Sequence, residues 1–167
     1  VAIDFHDEPF YGKETALQAV TCKGRAKKGT THFIRIASAY VIWRQVRLTL
    51  AVRYVLPEDE TLAILKQLLS RLKTLDFACK VLYLDKGFAA SSIIAHLKNQ
   101  QQPAIIACPI RGKTGGTKAL CQGRKSYRAD NNFTSGTPSN LAVVATLVPD
   151  KTGKRRRIWL AYIVIHL

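Results

Sequence analysis

VAIDFHDEPFYGK, Val1 to Lys13, and VLYLDKGF, Val81 to Phe88, are the two stretches on which the fold turns. In each, a short apolar run leads straight into an aspartate, Asp4 in the first and Asp85 in the second, and a glycine-bearing turn follows. Short apolar runs bounded by turn residues read as buried strands. A carboxylate in such a strand is costly unless a cation or a metal ion answers it. Two strands that each deliver one carboxylate therefore predict a shared metal site. Alternation along the first strand puts His6 and Glu8 on the face of Asp4 and Asp7 on the other, and Pro9 is expected to carry Glu8 away from the site.

Between these stretches, Phe33–Trp43 and Val46–Leu56 are rich in β-branched and aromatic residues. In the second, Val46, Leu48, Leu50 and Val52 alternate with Arg47, Thr49 and Arg53, which predicts an antiparallel strand with one wet face. With a turn at Gln45, these two and the opening strand form a three-stranded meander. Glu14–Thr21 carries only a weak helical pattern. CKGRAKKGTTH holds Lys23, Arg25, Lys27 and Lys28 with two glycines and reads as a mobile loop, either a solvated linker or a phosphate contact. Pro57 then opens PEDETLAILKQLLSRLKTL, an amphipathic helix with Leu62, Leu65, Leu69, Leu72 and Leu75 as its apolar stripe. Glu58, Asp59 and Glu60 at its start suit the helix dipole better than a metal ion.

Val81–Leu84, with helices before and after it, is expected to be covered on both faces as in α/β layers. Ser91 or Ser92 is placed to cap a helix over Ile93–Asn99, and Pro103–Pro109 reads as a further buried strand. Asp85 then ends a parallel strand, where ligands of open α/β sheets bind. From Ile110 the texture is Gly-rich and basic, with Arg111, Lys113, Lys118, Arg124, Lys125 and Arg128, but GKTGGTK lacks the residue order of a phosphate loop. Leu141–Val148 and Arg157–His166 read as strands joined by PDKTGKRRR. Its Lys151, Lys154, Arg155, Arg156 and Arg157 are the densest positive spot, and like charges so close favour contact with a DNA backbone over mere solvation.

Composition narrows the class. At 167 residues and 47% hydrophobic, the chain is of single-domain size and too apolar for disorder. Its 26 Lys and Arg against 11 Asp and Glu give a net charge of +15, which makes nucleic acid the first expected partner and an anionic membrane surface the second. The four cysteines are scattered with no CxxC pair, which argues against structural zinc and for reduced thiols in the cytoplasm. No apolar run approaches the ~20 residues that span a bilayer, so no membrane partner is expected. The chain starts with Val inside a strand, stops at IVIHL inside another and has no Met, and it reads as a portion of a longer protein.

Val1 to Gly12, with Asp4 in an apolar strand and a Pro-aromatic-Tyr-Gly exit, resembles the first catalytic block of DDE transposases from bacterial and archaeal insertion sequences. LYLDKGFAASSIIAHL resembles their second block, in which Asp is followed by a basic residue, Gly, an aromatic and a helix. The resemblance implies an α/β, RNase H-like fold: a mixed sheet of three antiparallel strands and then strand-helix-strand. Residues 1–109 would be the catalytic core and 110–167 a β-rich basic insertion, truncated before the third acidic block. It implies DNA transposition, with phosphodiester hydrolysis and strand transfer at insertion-sequence ends. The cofactor it implies is Mg²⁺ or Mn²⁺, as two ions roughly 3.5–4 Å apart. Hard oxygen ligands hold such ions, so the resemblance makes Asp4 the bridging ligand and Asp85 the second. Lys86 and Arg111 are candidate phosphate contacts by position. The partners implied are insertion-sequence ends and target DNA, with self-association of the full-length protein.

One departure is clear. The family's third acid, a Glu on a helix, has no counterpart here. After Asp85 the only acids are Asp130 and Asp150, both in loop-like settings. The Glu is expected beyond residue 167 or lost. Two other functions therefore stay open: a non-catalytic nucleic-acid-binding domain, and a host nuclease or resolvase of the same fold.

Overall fold

The computed structural model describes residues 1–112, 116–123, 125–132 and 138–167, with only the backbone of residue 132. Lys113, Arg124 and the centre of the DNNFTSGTPSN loop lie outside the described residues. The chain is α/β, with strands paired mostly antiparallel and few helices, and it divides into two compact units, Val1–Lys80 and Val81–Leu167. No helix among the described residues is long and apolar enough to cross a membrane.

The first unit contains β1 (Ala2–Pro9), α1 (Thr15–Ala19), β2 (Cys22–Lys27), β3 (Thr30–Trp43), β4 (Val46–Val55) and α2 (Thr61–Thr74). The long β3 organises it, because a run so rich in β-branched and aromatic residues suits a pleated surface better than a helix. β1 pairs antiparallel along one edge of β3, from Ala2 opposite Tyr40 to Pro9 opposite Phe33. β4 and then β2 follow the other edge. The meander thus has four strands, and CKGRAK, expected as a loop, is an edge strand turned by Lys28 (φ 51°) and Gly29 (φ 82°). Positive φ at both central residues is what a two-residue hairpin of matching twist needs.

One sheet face of this unit, carrying Ile3, Phe33, Ala37, Ala39 and Val55, is buried. α2 packs on β3 and β4 and buries Ile64, Leu65, Leu68 and Leu72, each contributing about 1.5–3 kcal/mol. The stripe lies one residue off the expected one: Leu65 and Leu72 belong to it, while Leu75 is exposed. The even alternation expected along β4 also fails. Ala39 pairs with Ala51 but Tyr40 with Thr49, so Leu50 is an extra residue. Such a bulge flips every side chain beyond it, and Val52 comes to the face opposite that of Val46 and Leu48. The acids before α2 do not sit in its first turn. Asp59 instead accepts hydrogen bonds from Arg53 (2.5 Å) and the Leu56 amide (2.8 Å), fixing the corner between β4 and α2.

The second unit contains β5 (Leu82–Leu84), a 3₁₀ turn at Lys86–Phe88, α3 (Ser91–Asn99), β6 (Ala104–Cys108), α4 (Gly116–Leu120), β7 (Tyr127–Asn132), β8 (Pro138–Pro149) and β9 (Arg155–Ile165). β5 and β6 are parallel with α3 between them in sequence, and β6–β9, β9–β8 and β8–β7 are antiparallel. Ile93, Ile94 and Leu97 of α3 are fully buried, as are Ile106, Ile163, Leu141 and Val143 of the sheet. α3 begins two residues earlier than expected, at Ser91, with Ala90 in the cap position and no side-chain cap. Tyr83 is half exposed, so β5 has one wet face rather than two covered ones.

Candidate functional site

Asp4 lies in β1 on the face opposite Ile3, with Ser38 directly across on β3. Ser38 is buried, and its Oγ accepts a hydrogen bond of 2.9 Å from Arg47, whose guanidinium stacks 3.7 Å over the Tyr40 ring. The half-buried Asp4 carboxylate has no hydrogen bond or ion pair among the described residues. Asp85 directly follows Leu84, at the C-terminal end of β5, with extended backbone (φ −64°, ψ 162°). Its carbonyl accepts from the Phe88 amide, but its side chain caps nothing. An Asp-Lys-Gly turn would explain Asp85 only if the carboxylate closed that turn, and it does not.

The contrast with the other acids is informative. Four of the eleven are half-buried: Asp4, Asp7, Asp59 and Asp85. Asp7 takes a two-pronged grip from Arg35, its direct neighbour on β3, at 2.7 and 2.9 Å. The Arg35 guanidinium holds the Asp7 carboxyl below its ordinary range. Asp59 is held by Arg53. Among the described residues, nothing donates to the Asp4 or Asp85 carboxylate. Glu8 is exposed and bonds His6 at 2.5 Å, and this bond lowers its pKa. β1 runs through Pro9, so the proline does not turn Glu8 away from the strand. Asp150 caps the β8–β9 turn, its Oδ1 accepting from the Thr152 amide and hydroxyl and from the Lys154 amide. Asp130 is exposed on β7.

The cations expected to meet phosphate are all exposed. Lys23, Arg25 and Lys27 are on the edge strand β2 and Lys28 at its turn. Lys86 opens the 3₁₀ turn after Asp85. Arg111 belongs to a loop tied by the Thr117 hydroxyl, which donates to the Pro109 carbonyl (2.7 Å) and accepts from the Arg111 amide (2.8 Å). Lys151 and Lys154 lie in the β8–β9 turn, whereas Arg155, Arg156 and Arg157, expected at a hairpin tip, form the first rungs of β9. As paired strand residues they alternate, so Arg155 and Arg157 share a face with Pro149 and Leu147 while Arg156 faces the other way.

No protein-family model and no curated protein matches the chain.

In donor chemistry, two free carboxylates suit a hard divalent cation such as Mg²⁺. Among the described residues there is no cluster of three or more His, Cys, Asp or Glu side chains. None of the four cysteines is in a disulfide, and burial pushes the thiols of Cys22 and Cys108 up, away from the thiolate that binds metal or reacts. Arg47 is the residue that strand patterning hides. On sequence it is one more cation on a wet face, and only the register across β3 brings it to Ser38.

Proposed function

We propose that this chain is an RNase H-like portion of a DDE-type transposase of the insertion-sequence kind, acting on DNA. Asp4 and Asp85 are carboxylate ligands for Mg²⁺ or Mn²⁺, and the exposed cations of β2 and β9 meet the DNA backbone. One observation carries the metal part: of four half-buried carboxylates, these two alone have no partner among the described residues. Leaving a carboxylate half out of water without an answering charge is unfavourable, and a divalent cation removes the cost. When bound, the ion would supply a Lewis acid for the phosphodiester. The chain's own part is to hold Asp4 on a rigid strand beside Ser38 and Asp85 at a strand end, and to draw the DNA in by charge.

The test is Mn²⁺ binding to the 167-residue chain, followed by electron paramagnetic resonance. Asp4→Asn and Asp85→Asn should each weaken binding at least about tenfold, as loss of a group at a metal site does. Asp7→Asn, whose carboxylate is already spent on Arg35, should leave it unchanged. Mn²⁺ affinity indifferent to both Asp4 and Asp85 would sink the metal reading. A second function, a nucleic-acid-binding domain without catalysis, is favoured by the exposed cations of β2 and β9, which need no metal to meet phosphate. It predicts DNA affinity that is unchanged or raised in both Asn variants and independent of Mg²⁺.

A further inference from the structure

From Thr15 to Pro57 the chain has no Asp or Glu, and it has eight Lys or Arg. Two of these, Arg35 and Arg53, are spent on Asp7 and Asp59. Arg44 and Arg47 have no carboxylate partner among the described residues and sit at the end of the β3–β4 hairpin. There Val41–Trp43 pair with Val46–Leu48.

Large apolar side chains are exposed at this hairpin end. Ile42, Trp43 and Val46 are 70%, 62% and 56% accessible, and Leu48 is also exposed. Trp43 and Val46 face each other across the ladder. The Arg44 guanidinium lies 5.6 Å from the Trp43 ring centroid and the Arg47 guanidinium 3.7 Å from that of Tyr40, so both arginines are aligned on aromatic faces. The turn itself stores strain. Arg44 (φ 48°) and Gln45 (φ 68°) both occupy the left-handed region, where a two-residue turn favours Asn-Gly. Strain retained at an exposed apolar tip is the pattern of a working surface rather than of a scaffold.

We propose that the β3–β4 hairpin end binds a single-stranded stretch of DNA, with a base stacked on Trp43 and the adjoining phosphate on Arg44, whose guanidinium lies beside that ring. This rests on the nucleic-acid part of the function above and not on its metal site. A single strand is favoured over a duplex by what each presents. In a duplex the base faces are covered by their neighbours, and exposing one costs a few kcal/mol. An unpaired strand offers those faces freely, and aromatic side chains interleaved with cations are the usual way to hold it. The absence of acids over 43 residues supplies the matching field for phosphate.

Trp43 is one of two tryptophans, so the full chain carrying Trp159→Phe reports on Trp43 alone. Titrated with an oligothymidylate and with a duplex of equal length, its emission should be quenched by the single strand and far less by the duplex. In the unaltered background, Trp43→Ala should weaken single-strand affinity by about 5- to 150-fold, the range carried by base–aromatic stacking. Arg44→Ala should reduce the slope of log affinity against log salt by about 0.7, one phosphate contact. Binding seen by anisotropy with no quench, and unchanged by Trp43→Ala, would overturn the proposal while the DNA reading stands. Failure to bind any DNA would overturn both. Equal or stronger quenching by the duplex overturns the single-strand assignment. A blue shift of Trp43 on anionic phosphatidylserine vesicles, or with rising protein concentration, and no quench by DNA would give the surface to a membrane or a second copy.

Discussion

Two long hairpins, β3–β4 in the first unit and β8–β9 in the second, end in different ways. At β8–β9 the turn is relaxed: Gly153 takes the positive φ (81°) and Asp150 gathers three donors on one oxygen. Arg155, Arg156 and Arg157 stand on the adjoining rungs. At β3–β4 the turn is strained, no glycine relieves it, and aromatic and aliphatic side chains are left in water beside two arginines. The first end is built to hold positive charge in place, which any phosphate chain can answer. The second offers surface to something with flat apolar faces as well as charge. Net charge alone gives no way to tell these apart.

The largest expected effect separates root from tip. Leu65→Ala, under the β3–β4 root, and Leu97→Ala, in the helix of the other unit, should each destabilise by about 2–5 kcal/mol in urea unfolding. Exposed-tip changes such as Ile42→Thr should stay within about 0.5 kcal/mol. A large loss from the tip would mean that it is packed rather than free. Next, replacing Arg155, Arg156 and Arg157 together by Ala should lower the duplex salt slope by about 3, at roughly 0.9 per phosphate contact. A slope that does not move would break the assignment of charge to that hairpin. Smaller again are the turns. Gly153→Ala meets no neighbour but places a side chain at positive φ, and should cost about 1–2 kcal/mol. Gln45→Gly should stabilise by about 0.5–1 kcal/mol and, if the strained tip is the working one, weaken single-strand binding. Thermal melts of the two variants check the opposite signs.

The smallest effect concerns Asp7. Its folded-state pKa is lowered, so the Arg35 pair contributes stability above the unfolded value near 3.8 and loses it as pH falls through the folded value. The pair is about a third exposed and screened, so the gap between the natural chain and Asp7→Asn should be at most ~1 kcal/mol at neutral pH. That gap should close below about pH 4. A gap constant from pH 6 to pH 2 would show that the pair contributes nothing that titrates.

Much of the secondary structure was legible because its signals are local. The helix over Thr61–Thr74, the strand after it and the aspartate at that strand's end follow from apolar spacing and turn residues within a few positions. CKGRAK was not, since lysines and a glycine mark a loop until β3 is present to pair with them. The alternation of β4 misled at Leu50, because a bulge is set by the partner strand and leaves the local period intact. RRR looked like a loop tip for the same reason, and pairing with Leu147, Val148 and Pro149 makes it strand.

The sequence by itself determined the strong positive charge, the long acid-free run from Thr15 to Pro57 and the two aspartates that end or interrupt apolar runs, since these need only residue identities in order. The tertiary structure decided which acids are answered. Asp7 meets Arg35 and Asp59 meets Arg53 because register and a chain corner bring them together, while Asp4 faces Ser38 and Asp85 leaves its strand with no side-chain bond among the described residues. Ion pairing is a matter of ångströms between residues far apart in the chain, and only strand register sets those distances.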